Sequence, residues 1–234
     1  MESDNTLEHH HAWPELPHEM WDEVQSCLSL SDFLHLSQVN HALHSQLHKV
    51  EVQTQEQLDA ALTMPDLNLI LVTGDDLQLT AEPVGGAWII TTAPITVMAG
   101  RIHVRERVRV TASGTAHVTA HNQATVLAYY QARVTAHDQA EVRVDGRAQV
   151  VAHDDCQVWA CGEAEVIAYG RTGVTTWAHT RVTAHDQATV VATGRTVVTA
   201  HGQAQVTAHD DCQVWAYDQA IVTTHNRATV TDHR

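Results

Sequence analysis

The chain has one lysine, Lys49, and one phenylalanine, Phe33, in 234 residues. Basic charge is thin: residues 1–100 hold 15 Asp and Glu against one base, and the formal net charge is −15 at pH 7. Direct binding to nucleic acid or an anionic membrane needs clustered basic charge, so neither is expected. The four cysteines, Cys27, Cys156, Cys161 and Cys212, have no CxxC spacing and are too few for a disulfide framework. Reduced thiols and a cytoplasmic location are the expectation. No apolar run is long enough to span a bilayer, and no basic-then-apolar signal segment stands at the start.

What the chain has instead is repetition. VTAHDQAT at Val182–Thr189 returns as VTAHDQAE from Val134 and VTAHGQAQ from Val198. From Val110 every eighth residue is Val through Val230, sixteen in succession. Two positions after each Val stands Ala in most copies, and six positions after it another small residue such as Ala124, Cys156 or Thr172. Four positions after it comes Gly, Asn or Asp almost every time, as in Gly114, Asn122, Asp138 and Gly194. Inward and outward residues alternate across each repeat boundary, the period of two that marks a strand. The Gly/Asn/Asp position then turns the chain, because those residues tolerate positive φ. Each octapeptide is one short strand and one corner, and a lone strand buries nothing, so the units must stack on one another.

These constraints give a mainly β protein: a parallel β-solenoid with two octapeptides, 16 residues, per coil, wound right-handed. A three-octapeptide coil leaves a wider core that Ala cannot fill. Residues 110–234 then supply about eight coils, a rod on the order of 38 Å long. Pairing the octapeptides sorts the residues before each turn into two edges. One edge reads His121, His137, His153, Tyr169, His185, His201, Tyr217, His233; the other reads Ser113, Tyr129, Asp145, Cys161, Trp177, Thr193, His209, His225. Ahead of the strict register, residues 51–109 read as a capping helix near Gln55–Leu62, which would cover the first rung, and irregular first coils turned at Gly85-Gly86 and Pro94. The last octapeptide offers no comparable cover, and a homodimer through that end of the solenoid is expected.

Residues 1–12 form a polar tail, expected to be disordered, and 13–50 a helical unit. Pro17 suits a first helical turn, with Glu19 and Glu23 near its positive end, and Ser31 or Asp32 can cap a second helix. Its apolar series is Leu16, Met20, Val24, Leu28, Leu30, Phe33, Leu36, Val39 and Leu43, a surface too large for its own core. In order and spacing, Leu16-Pro17, Glu19, Met20/Val24/Leu28, Leu30-Ser31-Asp32-Phe33, Leu36, Val39-Asn40 and Leu43 resemble the F-box motif. The sequence departs from it after Val39, where the family commonly carries a basic residue and an aromatic and this chain has Asn40, His41 and Ala42. The resemblance implies docking of these residues on a Skp1-like adaptor, with the rest of the chain selecting a substrate for ubiquitin ligation. Some members are similar in carrying a parallel β-helix as recognition module. The readings left beside it are helices that extend the solenoid cap or self-associate.

Chemistry on the rod is sparse. Nineteen histidines raise a metal site, but zinc needs about four ligands around one point, and ladder residues a rung apart supply stacking instead. No metal or cofactor is expected. The paired acids Asp154/Asp155 and Asp210/Asp211 sit at corners, where turn formation explains them better than catalysis. Trp159, Trp177 and Trp215 point outward and, with the histidine–tyrosine edge, make the candidate contact surface. The expected function is non-enzymatic protein recognition. A self-assembling scaffold is the alternative, and a glycan-active β-helix enzyme a distant third.

Overall fold

A computed structural model describes residues 48–67 and 69–233 of the chain. The helical unit expected at 13–50 lies outside them except for its last residues. Lys49–Val52 form strand β1, the first of the solenoid. The described residues make one compact unit from His48 onward.

The unit is a parallel β-solenoid of two facing sheets with about 11 turns. Odd and even strands separate cleanly after the first turn. The twelve-stranded sheet holds β1 and then every even strand from β2 (Leu69–Val72) to β22 (Thr229–Asp232). The ten-stranded sheet runs through the odd strands from β3 (Leu77–Leu79) to β21 (Ile221–Thr224). From β6 (Arg101–Val104) onward the offset between neighbours is 16 residues: Arg101 pairs with His117, Val118 with Val134, and Val142 with Val158. The paired octapeptide is therefore the coil.

Residues 49–109 join the same two sheets, so the stack extends beyond the eight or so coils of residues 110–234. At roughly 4.8 Å per rung the rod measures on the order of 50 Å. Its first turns are looser: Lys49 pairs with Leu69 and Leu69 with Trp88. Ile70, Leu79, Ile89 and Ile102 fill the centre there, all fully buried. Longer connections thus accommodate the larger Ile and Leu, which the strict coils replace with Val and Ala.

In the strict coils the core is one Val and two small residues per octapeptide, as in Val118, Ala120 and Ala124, all at 2% exposure or less. Four threonines replace small residues inside the core. Thr172 and Thr180 donate to the carbonyls of Tyr169 and Trp177, and Thr176 lies 3.2 Å from Thr196, so the buried hydroxyls are satisfied.

The corners are as regular as the strands. Every turn position from Glu106 to Asn226 at eight-residue intervals has positive φ. Glycine, Asn and Asp occupy thirteen of them, and Glu106, Tyr130 and Ala178 are the exceptions. Aspartate brings a second benefit there. The Asp138 carboxylate accepts the backbone N–H of Asn122 one coil earlier at 2.9 Å, and Asp154 accepts that of Asp138 at 3.1 Å. Asp186, Asp210 and Asp218 do the same for Gly170, Gly194 and Gly202.

Helix α1 spans Gln55–Leu62, the residues read from the sequence, and opens with a capping box between Thr54 and Gln57. It buries Leu58, Ala61 and Leu62. The Gln55 amide accepts the backbone N–H of Gln78 at 2.8 Å and donates to the Gln78 carbonyl at 3.0 Å. A side chain thus stands where another strand would pair with the free edge of β3, which is how the sheet end is covered.

Candidate functional site

The 16-residue offset gathers one predicted set completely. His121, His137, His153, Tyr169, His185, His201, Tyr217 and His233 form a continuous ring stack along one edge. Successive centroids lie 4.8–5.0 Å apart with planes within 12° of parallel. Strand spacing dictates the first number, because rings on identical backbones repeat at the rung distance. The other edge carries only the pair His209–His225, at 4.6 Å.

Burial is uneven along the stack. His121 is 6% exposed, and no hydrogen bond reaches its Nε2. Desolvation, then the neighbouring His137 and Arg105, push its pKa down to about 4, while Asp138 and Asp154 act in the opposite sense. His137 and His185 are lowered too, first by burial and then by the next imidazole in the ladder. His103, one coil earlier on the sheet face, packs its ring 4.3 Å from Trp88. Burial, then His121, Arg105 and Arg101, take it down to about 3. At neutral pH these shifted imidazoles are uncharged, which is the condition for stacking them at rung distance.

The carboxylates nearest the ladder hold structure. His121 and His201 each lie 3.8 Å from a corner aspartate, Asp138 and Asp218, too far for a hydrogen bond. Those aspartates accept backbone N–H groups instead. Among the described residues no group of three or more His, Cys, Asp or Glu is placed to hold a metal ion. The paired acids are similarly engaged. Asp154 and Asp210 accept corner amides, while Asp155 pairs with Arg171 at 2.6 Å and Asp211 with Arg227 at 2.9 Å. Burial raises both core thiols, Cys156 to about 12, so neither is poised as a nucleophile.

The three tryptophans are not brought together. Trp159 lies outward on β13 (Gln157–Ala160) of the ten-stranded sheet, with the Arg143 guanidinium 5.5 Å from its ring centre. Trp215 lies on β20 (Gln213–Ala216) of the opposite sheet. Trp177 sits at the edge away from the ladder, 44% exposed. The two AHDDCQVWA segments, an odd number of octapeptides apart, face opposite ways as their spacing requires. Sequence reasoning missed Tyr130, which is 72% exposed beside Tyr129, because an aromatic at a corner position breaks the pattern used to find corners. It also passed over RIHVRERVR at Arg101–Arg109, the one arginine-rich stretch of the chain.

The expected partner residues Leu16, Pro17, Met20, Val24, Leu28, Leu30, Phe33, Leu36, Val39 and Leu43 lie outside the described residues. In the last turn Ile221 and Val230 are 60% and 41% exposed. Among the described residues, no helix is long and apolar enough to cross a membrane. Comparison of the chain with protein-family models, with curated proteins and with solved structures finds no match in any of the three.

Proposed function

We propose that the chain is a non-enzymatic, cytoplasmic recognition protein. Its F-box-like residues 13–50 dock a Skp1-like adaptor, and the solenoid presents outward columns to a second partner. The observation that carries this reading is the division of labour within each octapeptide. Inward positions keep to Val and small residues from coil to coil, whereas outward columns vary far more, as from Arg143 to Trp159 to Thr175 along one sheet. A rod whose core is uniform and whose surface is particular is suited to contact over an extended face. The engagement of the paired acids in corner amides and arginine pairs supports it further, since glycoside cleavage needs two carboxyl groups free to act as acid and base.

The test is capture of purified adaptor by the full chain, compared with a Leu30→Asp/Phe33→Asp variant. Capture that the variant loses while its far-ultraviolet circular dichroism is unchanged supports docking. No capture by the parent chain refutes it. The exposure of Ile221 and Val230 favours a second reading, a homodimer or larger scaffold assembled through that turn. A solution mass of one chain at micromolar concentration excludes it.

A further inference from the structure

Residues 101–109 carry four arginines and one acid, Glu106, in a chain of net charge −15. The fold spreads these cations over several surfaces. Arg105 is buried at the ladder edge, and Arg107 donates to Gln123 at 2.8 Å. Arg101 faces outward on the twelve-stranded sheet, where the register sets it beside His117 and sets His117 beside Arg133. Three basic side chains thus stand in one row at strand spacing. The two arginines are exposed and the imidazole is half-buried between them. The adjoining row on the same face holds His103, Thr119 and Thr135.

Four other arginines stand in complementary rows. Arg147 meets Glu163, Arg171 meets Asp155, Arg181 meets Glu165 and Arg227 meets Asp211, each pair one coil apart and within 2.9 Å. Arg101 and Arg133 make no ion pair among the described residues. Like charges in register across a sheet are unfavourable. The charges that act on His117 are Arg133 and Arg101, opposed by Glu82 alone, and with burial as the first cause its pKa is lowered. Two guanidiniums and an imidazole in one row, with no carboxylate in register between them, are arranged for an anion from outside.

We propose that Arg101, His117 and Arg133, with Thr119 and Thr135 beside them, form a binding row for an acidic glycan, one oxyanion of which lies over His117 between the two guanidiniums. The site is a flat face and encloses nothing, so a small free anion gains little there and a chain that continues along the rungs gains more. Trp88 heads the row: it stands two residues before Ile90, which pairs with His103. A nucleic acid carries one charge every few ångströms and would meet the repulsion of the whole acidic chain, whereas a sparsely charged glycan needs only the local row. This inference is independent of adaptor docking, since it rests on the solenoid alone.

The test is titration of the full chain with a sulfated tetrasaccharide, its unsulfated counterpart, inorganic sulfate and a single-stranded oligonucleotide. The sulfated sugar is expected to bind most tightly, with an affinity that falls as salt rises. An Arg101→Gln/Arg133→Gln variant should lose about tenfold per guanidinium. Arg181→Gln, whose parent residue already pairs with Glu165, should lose nothing, and Glu82→Gln should tighten binding. Binding should also raise the pH at which the His117 ring titrates, read by nuclear magnetic resonance. The proposal is overturned by no binding of the sulfated sugar, by undiminished binding in the folded double variant, by inorganic sulfate binding as tightly, or by tighter binding of the oligonucleotide. Adaptor capture by the double variant should be unchanged, so that failure of either reading leaves the other legible.

Discussion

At the scale of single residues, the corner position decides most. Thirteen of sixteen corners use residues that tolerate a left-handed backbone, and Ala178, at φ 69°, is one of the three that do not. Ala178→Gly should therefore raise stability by about 0.5–1 kcal/mol, the relief of the Cβ clash less the entropy that glycine adds to the unfolded chain. Thermal melting checks the sign. Gly162→Ala should do the reverse and cost more than about 1 kcal/mol. Its φ is 75°, and an added Cβ would come within 2.9 Å of the Gly146 backbone nitrogen. The corner rule was readable from the sequence, since Gly, Asn and Asp recur at a fixed phase. The use of the aspartate carboxylate by the preceding coil was not, because it joins residues 16 positions apart whose relation depends on coil length.

Among elements, strand and helix fail differently. Each strand buries one Val and one small residue against a sheet that faces it across a thin core, so volume is tightly limited. Ala152→Leu in β12 (Gln149–Ala152) should cost about 1–3 kcal/mol or more by forcing the sheets apart, measurable as a lowered denaturation midpoint. Helix α1 instead protects an end. Leu58→Ala should cost about 2–5 kcal/mol. In a stack whose coils touch only their neighbours, the loss should appear first in the amides of β1–β3, with hydrogen exchange in the last coils little changed. The helix was legible in the sequence near Gln55–Leu62, the bounds the structure gives it, and the Thr54–Gln57 capping box that opens it came to light in the structure. That Gln55 would pair with the edge of β3 was not legible, because nothing local marks which strand ends a sheet.

At the scale of the whole molecule, the ladder links stability to pH. His121 and His103 titrate near 4 and 3 in the folded rod, against an ordinary value of 6.5. Between those values the unfolded chain binds more protons, so stability rises with pH across the window and is lost on acidification from about pH 6.5 towards 4. For His121 alone the loss is on the order of 3 kcal/mol. His121→Phe keeps a ring in the stack and removes a nitrogen that no group hydrogen-bonds, and it should flatten this acid limb in melting curves recorded from pH 7 to 4.

The octapeptide period by itself determined the coil: a fixed Val every eight residues and small partners admit one thin core, and burial periodicity is local enough to read along the chain. The tertiary structure decided how far the stack extends, since the irregular turns before Arg101 obey no period yet continue the same sheets. It also decided which outward residues before the strict octapeptides join a surface: the 16-residue offset that the octapeptide period already implied for His121–His233 reaches back to Arg101 and sets it in one row with His117 and Arg133. Neighbourhood across rungs is set by closure of the coil, which no single repeat contains.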